Sequence, residues 1–127
     1  MASALHIVIN GPPQPWERGI LDTRGGRHRV ITPTRTRQYE RAVSDFARVQ
    51  AAIQEWRLTD EPVTVEVHAF FADRRRRDID NLAKGVLDGL TKSKAIWADD
   101  CQVCDLRIVR GYDKERPRTE VVVRVAT

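Results

Sequence analysis

Six stretches of the chain carry a hydrophobic pattern regular enough to assign structure. Leu5 to Asn10 is a short apolar run closed by Gly11-Pro12-Pro13, which forces a turn, and it reads as a buried strand. From Thr34 to about Trp56, apolar residues recur at three- and four-residue intervals (Tyr39, Ala42, Val43, Phe46, Val49, Ile53 and Trp56). That is the stripe of an amphipathic helix, with Pro33 just before it, where a proline is tolerated. Pro62 to Phe71 alternates, with Val63, Val65, Val67, Ala69 and Phe71 facing one way and Thr64, Glu66 and His68 the other. Such a period of two describes a strand with one wetter face.

A second helix follows at Asp80. At about 100° per residue from Asn81, Leu82, Ala83, Val86, Leu87 and Leu90 fall between roughly 100° and 240°. Asp80, Asn81, Lys84 and Asp88 fall between about 260° and 360°, on the opposite side. Asp78 or Asp80 suits the N-cap, where a short carboxylate accepts from free backbone N–H groups at the positive end of the dipole. Gly85 and Gly89 each cost about 1 kcal/mol against alanine in a helix interior, so their expected use is to let another backbone approach closely. Cys101 to Gly111 and Glu120 to Ala126 read as two further strands, joined by a polar link containing Pro117.

The predicted order is β-α-β-α-β-β, an α/β (α+β) fold with a small mixed sheet and two helices in a single domain, residues 1–127. The stretch from Gln14 to Thr32 has no clear period, apart from a short strand at His28 to Ile31. It carries Arg18, Arg24, Arg27 and Arg29 around a flexible Gly25-Gly26 tip. A loop of that length in a compact domain is commonly functional; it reads as a DNA-contacting arm, with Trp16 as a stacking or wedge residue. The bland alternative is a mobile basic surface loop.

Composition narrows the class. With 41% hydrophobic and 31% charged residues, the chain can bury a core, and no apolar run approaches the ~20 residues a membrane span needs. No export signal is visible, so cytoplasmic residence is expected. The formal charge of +4 is moderate, and its arrangement says more than its size. Four consecutive arginines, Arg74 to Arg77, run directly into Asp78-Ile79-Asp80-Asn81, and the segment ends at Trp97 followed by Asp99-Asp100. Cys101 and Cys104 form an isolated CxxC in an expected strand, which suits neither a zinc site nor a thioredoxin-like motif, so they read as reduced and non-catalytic. His6, His28 and His68 form no ligand spacing.

Two aspartates at i and i+2, joined by a third from elsewhere, would concentrate negative charge unless a cation or a proton relieves it. Ligation by carboxylate oxygens alone suits Mg²⁺ or Mn²⁺ rather than zinc. Lys84, one turn beyond Asp80, is placed to orient a water or neutralise developing charge, and the arginines to hold phosphates. Each part alone has an ordinary reading: an arginine run as a solvated face, Lys84 as an i±4 partner of Asp80 or Asp88, Asp99-Asp100 as a turn.

Through RRRRDIDNLAKGVLDGLTK, the Trp97-to-Asp100 end and the strand that follows, the chain resembles the RusA family of Holliday junction resolvases. The shared pattern D-x-D-N-x-x-K-x-x-x-D-x-L covers, with its surroundings, about a third of the chain. The resemblance implies a homodimeric, Mg²⁺-dependent endonuclease that nicks four-way DNA junctions symmetrically. Its catalytic aspartates and lysine would correspond to Asp78, Asp80, Asp100 and Lys84. The third acid lies at Asp99 or Asp100, with Asp100 preferred because it directly precedes the matching strand. Asn81 and Asp88 are supporting candidates, and Arg74, Arg75, Arg76 and Arg77 are the nucleic-acid contacts. A two-fold dimer would match the approximate two-fold symmetry of a four-way junction. The competing readings are a branched-DNA binding protein without catalysis and a metal nuclease acting on RNA or linear duplex. No PD…(D/E)xK pattern supports the latter, since His68, not lysine, follows Glu66 at i+2.

Overall fold

The structure, a computed structural model, describes residues 3–126. Four strands form one mixed sheet: β1 (Ala4–Asn10), β4 (Val63–Phe71), β5 (Val103–Tyr112) and β6 (Arg118–Val125), in the spatial order β1-β6-β4-β5. β6 lies antiparallel between β1 and β4, while β5 runs parallel to β4 along the outer edge. Two helices, α1 (Thr34–Ile53) and α2 (Ile79–Ser93), pack together, and α1 also lies against β1. Parallel neighbours need a crossover, and α2 supplies it between β4 and β5.

Period-two burial builds the sheet side of the core. Leu5, Ile7 and Ile9 of β1, Val63, Val65 and Val67 of β4, and Val121 and Val123 of β6 are all buried. Val43, Ala47, Val86 and Leu90 cover them from the helices, and Ile96 and Trp97 close the end beneath α2. Each such side chain contributes about 1.5–3 kcal/mol on burial. The polar atoms are accounted for: Trp56 Nε1 donates to the Ile96 carbonyl at 3.1 Å and Trp97 Nε1 to Thr91 Oγ1 at 2.8 Å. Tyr39 shares a 2.6 Å hydrogen bond with Thr119, and burial pushes its phenol up to about 12. No buried side-chain polar atom lacks a partner among the described residues.

Three expectations change. The element order is β-β-β-α-β-α-β-β, because the basic stretch holds a two-stranded ribbon of β2 (Ile20–Asp22) and β3 (Arg29–Ile31). β3 matches the short strand expected at His28 to Ile31, whereas β2, three residues long, shows no readable alternation and is not predicted by the pattern. The second difference is in α1, which ends at Ile53 and leaves Val49 and Ile53 exposed at 58% and 74%. Its buried line steps by four, through Tyr39, Val43, Ala47 and Ala51, and Trp56 reaches the core only after a left-handed residue, Glu55 (φ 58°). Finally, Cys101 sits in a 3-10 turn (Asp100–Gln102) rather than in β5; both cysteines are free and exposed. No helix of the described chain is long and apolar enough to cross a membrane.

Of the two helix glycines, Gly89 has the expected use, while the neighbours of Gly85 stand at ordinary contact distance. A Cβ on Gly89 would lie 2.6 Å from Val43 Cβ and 2.9 Å from the Glu40 carbonyl oxygen, so α1 crosses at this point. Gly85 faces the segment after β1 instead, with a Cβ position 3.4 Å from the Gln14 carbonyl oxygen and 3.8 Å from the Trp16 nitrogen.

The candidate active site along α2

β4 delivers the chain into a turn organised by Asp73. Its Oδ1 accepts from Arg75 N at 3.0 Å and from Arg77 Nη1 at 2.8 Å, and Arg77 stacks 3.9 Å above the Phe71 ring. These contacts divide four arginines that look identical in the sequence. Arg77 is only 18% exposed on its side chain, so its guanidinium is committed to holding the turn. Arg74, stacked 4.3 Å over Tyr112, and Arg75 instead line a cleft of about 220 Å³ with Asp73, Arg110, Gly111 and Tyr112. Arg76 is exposed. Arg110 and Tyr112 escaped sequence reasoning; their signal was their place at the C-terminal end of β5, beside the end of β4.

The Arg77 hydrogen bond, with the Arg75 N–H behind it, holds the Asp73 carboxyl at about 2 instead of the ordinary 3.8. A depressed carboxylate stabilises the folded turn above the usual aspartate range, and that contribution is lost as pH falls through about 2. We expect a carbon-13 titration of Asp73 to give a midpoint near that value, and Arg77→Ala to move it back towards the ordinary range.

α2 begins where this turn ends. Asp78 occupies the N-cap with extended backbone (φ −78°, ψ 129°), but its carboxylate caps nothing and is exposed. Asp80 Oδ1 accepts from Asn81 N at 3.0 Å and is likewise exposed. One turn on, Lys84 Nζ lies 3.4 Å from Asp88 Oδ2 and 4.9 Å from the Trp16 ring centroid. Trp16 is fixed there by its backbone, whose N–H donates to the Asn81 carbonyl at 2.9 Å. Helical spacing therefore stacks Asp80, Lys84 and the half-buried Asp88 along one line, about 6 Å apart.

The third acidic element arrives from the start of β5. Asp99 is occupied locally: its carboxylate accepts from Cys101 N, and Gln102 Oε1 accepts from Asp99 N at 2.9 Å, a capping box around the 3-10 turn. Asp100 faces α2. Partial burial raises its carboxyl above the ordinary range; Asp99 and then Asp88 add to the rise, and Lys84 opposes it. The 3-10 turn that carries Asp100 packs against α2, with Lys84 and Asp88 near enough to act on its charge. Asp78, Asp80 and Asp100 are not gathered into one cage: among the described residues, no three His, Cys, Asp or Glu side chains are close enough together to hold a metal ion. The donors nonetheless fit a hard divalent cation in kind. They are carboxylate oxygens, the donors that Mg²⁺ and Mn²⁺ prefer.

Fold and site define a small α+β protein whose acidic helix face, with one lysine, adjoins a guanidinium-lined cleft. The chain belongs to the endodeoxyribonuclease RusA family, matching it over residues 10–124. Among curated relatives, the crossover junction endodeoxyribonucleases RusA of Escherichia coli, Shigella sonnei and Enterobacteria phage 82 are each 49% identical over 62 residues. That match covers 49% of this chain and 51% of each relative, so the chain spans about half the length of the curated relatives it matches.

Proposed function

We propose that this chain is a divalent-metal-dependent endodeoxyribonuclease that resolves four-way DNA junctions as a homodimer by paired nicks. The observation that carries this reading is the turn of Asp100, from a separate part of the chain, packing against the helix that bears Asp80, Lys84 and Asp88. Family membership supports the reaction, and the relatives' names support the junction as substrate. Asp78, Asp80 and Asp100 are the proposed Mg²⁺ ligands, with Mn²⁺ as a substitute; this reading rests on the family resemblance and on the oxygen donors, since the three are not gathered in the structure. When bound, such an ion activates a water and stabilises charge on a phosphodiester.

The chain's own groups supply the rest. Lys84 swings between Asp88 and the scissile phosphate, where its ammonium neutralises developing charge. Asp88 holds that lysine ready, and Asn81 anchors Trp16 beside it. Arg74, Arg75 and Arg76 grip the flanking backbone, with Arg77 as the brace that shapes their turn.

The experiment is Asp80→Asn assayed on a synthetic four-way junction. Junction binding is expected to survive while Mg²⁺-dependent nicking is lost; retained nicking would remove Asp80 from the mechanism. Linear duplex and RNA of matched sequence distinguish a junction enzyme from a general nuclease, and light scattering reads the dimer. Binding that weakens steeply with salt would show that phosphate contacts dominate.

A further inference from the structure

The ribbon of β2 and β3 carries its apolar residues outward, more exposed than those of any other paired strand among the described residues. Leu21 and Val30 are direct cross-strand partners, 60% and 74% exposed, and Ile20 beside them is 61% exposed. A two-stranded ribbon is marginally stable alone in water, and this one is held by charge. Asp22 binds Arg24 Nε at 2.9 Å and Arg29 Nε at 3.1 Å, and those guanidinium groups hold its carboxyl below the ordinary range. Gly19 sits beneath Val30, where a Cβ would collide with Val30 Cγ1, so the glycine leaves that side chain its place. The crest is therefore held by its own ion pairs and is exposed among the described residues.

Its position names an occupant. The segment leading to the ribbon is tied to the catalytic helix face, through Trp16 N to the Asn81 carbonyl and the Trp16 ring under Lys84. Residues 14–32 carry four arginines against two acids, and Arg18 and Arg27 form no ion pair among the described residues. Apolar side chains flanked by guanidinium groups are the usual means of entering DNA between base steps, at a cost of a few kcal/mol for unstacking. That cost is lowest where stacking is already interrupted, as at the crossing point of a branched molecule.

We infer that the Leu21–Val30 crest, with Ile20, inserts at the branch point and makes the protein select branched over linear DNA. The inference rests on the proposed action on branched DNA. Arg18 and Arg27 contact backbone phosphates on either side and carry no such selectivity.

The test combines Leu21→Ser with Val30→Ser, both exposed, so the core is untouched. Equilibrium binding is measured to an immobile four-way junction and to linear duplex of the same arm sequence, with 2-aminopurine at the branch point reporting unstacking. The double variant is expected to bind the junction about ten-fold more weakly, keep its duplex affinity and lose the 2-aminopurine signal. Arg18→Ala with Arg27→Ala should instead weaken both substrates together and lower the salt slope by about one per contact. An unchanged junction-to-duplex ratio in the serine variant overturns the crest's role. A dimer that the same variant converts to monomer overturns it too, by assigning the crest to a second copy of the chain. A wild-type protein with no preference for the junction would instead sink the branched-DNA reading itself.

Discussion

Asp100→Asn should abolish junction nicking, by about 10³-fold or more, while the neighbouring Asp99→Asn stays within several-fold of wild type. The two residues are adjacent and chemically identical, so the contrast reads their surroundings. Asp99 works as a cap, accepting from the Cys101 N–H within its own turn. Asparagine caps about as well as aspartate, because its side-chain oxygen accepts the same bond. Asp100 lies on a turn that packs against α2, and partial burial and the nearby carboxylates raise its carboxyl above the ordinary range. An amide there removes the anion that draws the α2 line and the start of β5 into one electrostatic unit. Junction affinity, carried by arginines, is expected to hold in both variants. Single-turnover nicking beside an electrophoretic binding assay checks the pair; equal loss in both would mean that Asp99 is the reacting acid.

Gly89→Ala should be the most damaging single-methyl addition in the molecule. Alanine favours a helix interior by about 1 kcal/mol over glycine. That gain is overwhelmed because the new methyl would stand 2.6 Å from Val43 Cβ, 2.7 Å from Val43 Cγ1 and 2.9 Å from a backbone oxygen of α1. Neither Val43, fully buried, nor the Glu40 carbonyl can move without shifting the helix. Overpacking of this kind costs about 1–3 kcal/mol or more, so a net loss of about 2 kcal/mol and a fall in Tm of several degrees are expected. Gly85→Ala is the control. Its nearest neighbour is 3.4 Å away on a loop, so the propensity gain roughly cancels the strain and Tm stays near wild type. Thermal denaturation of the two variants checks this, and equal Tm values would mean that α1 adapts.

The chain order shows why parts of this molecule were readable and others were not. β1, β4 and α2 advertise themselves because one face of each is buried and the periodicity is intact. β2 does not, since three residues with exposed apolar side chains imitate a loop, while its partner β3 is legible only as a short strand at His28 to Ile31. Val49 and Ile53 fit a helical stripe by spacing yet lie outside the core, because α2 meets α1 along the four-residue line that contains Val43. The site divides in the same way. Asp78, Asp80, Lys84 and Asp88 follow from one helix and need only its pitch. That the turn of Asp100 packs against α2 depends on how the chain turns between α2 and β5, which no local pattern encodes. The separation of Arg77 from Arg74 and Arg75 likewise depends on Phe71 and Asp73 standing where β4 ends.

The pairing of β1 with β6 sets the timing of assembly. Leu5 lies opposite Val123 and Ile7 opposite Val121, so β1 cannot dock before β6 has been made. As the chain leaves the ribosome, Leu5, Ile7 and Ile9 wait in the open through the synthesis of nearly everything else. Closing so long a segment is slow, because the entropy of joining distant residues is lost before any contact compensates. The newborn chain therefore passes through a stage in which its helices and β4 can associate while an apolar strand stands unpaired, the stage at which sticking to other chains competes with folding.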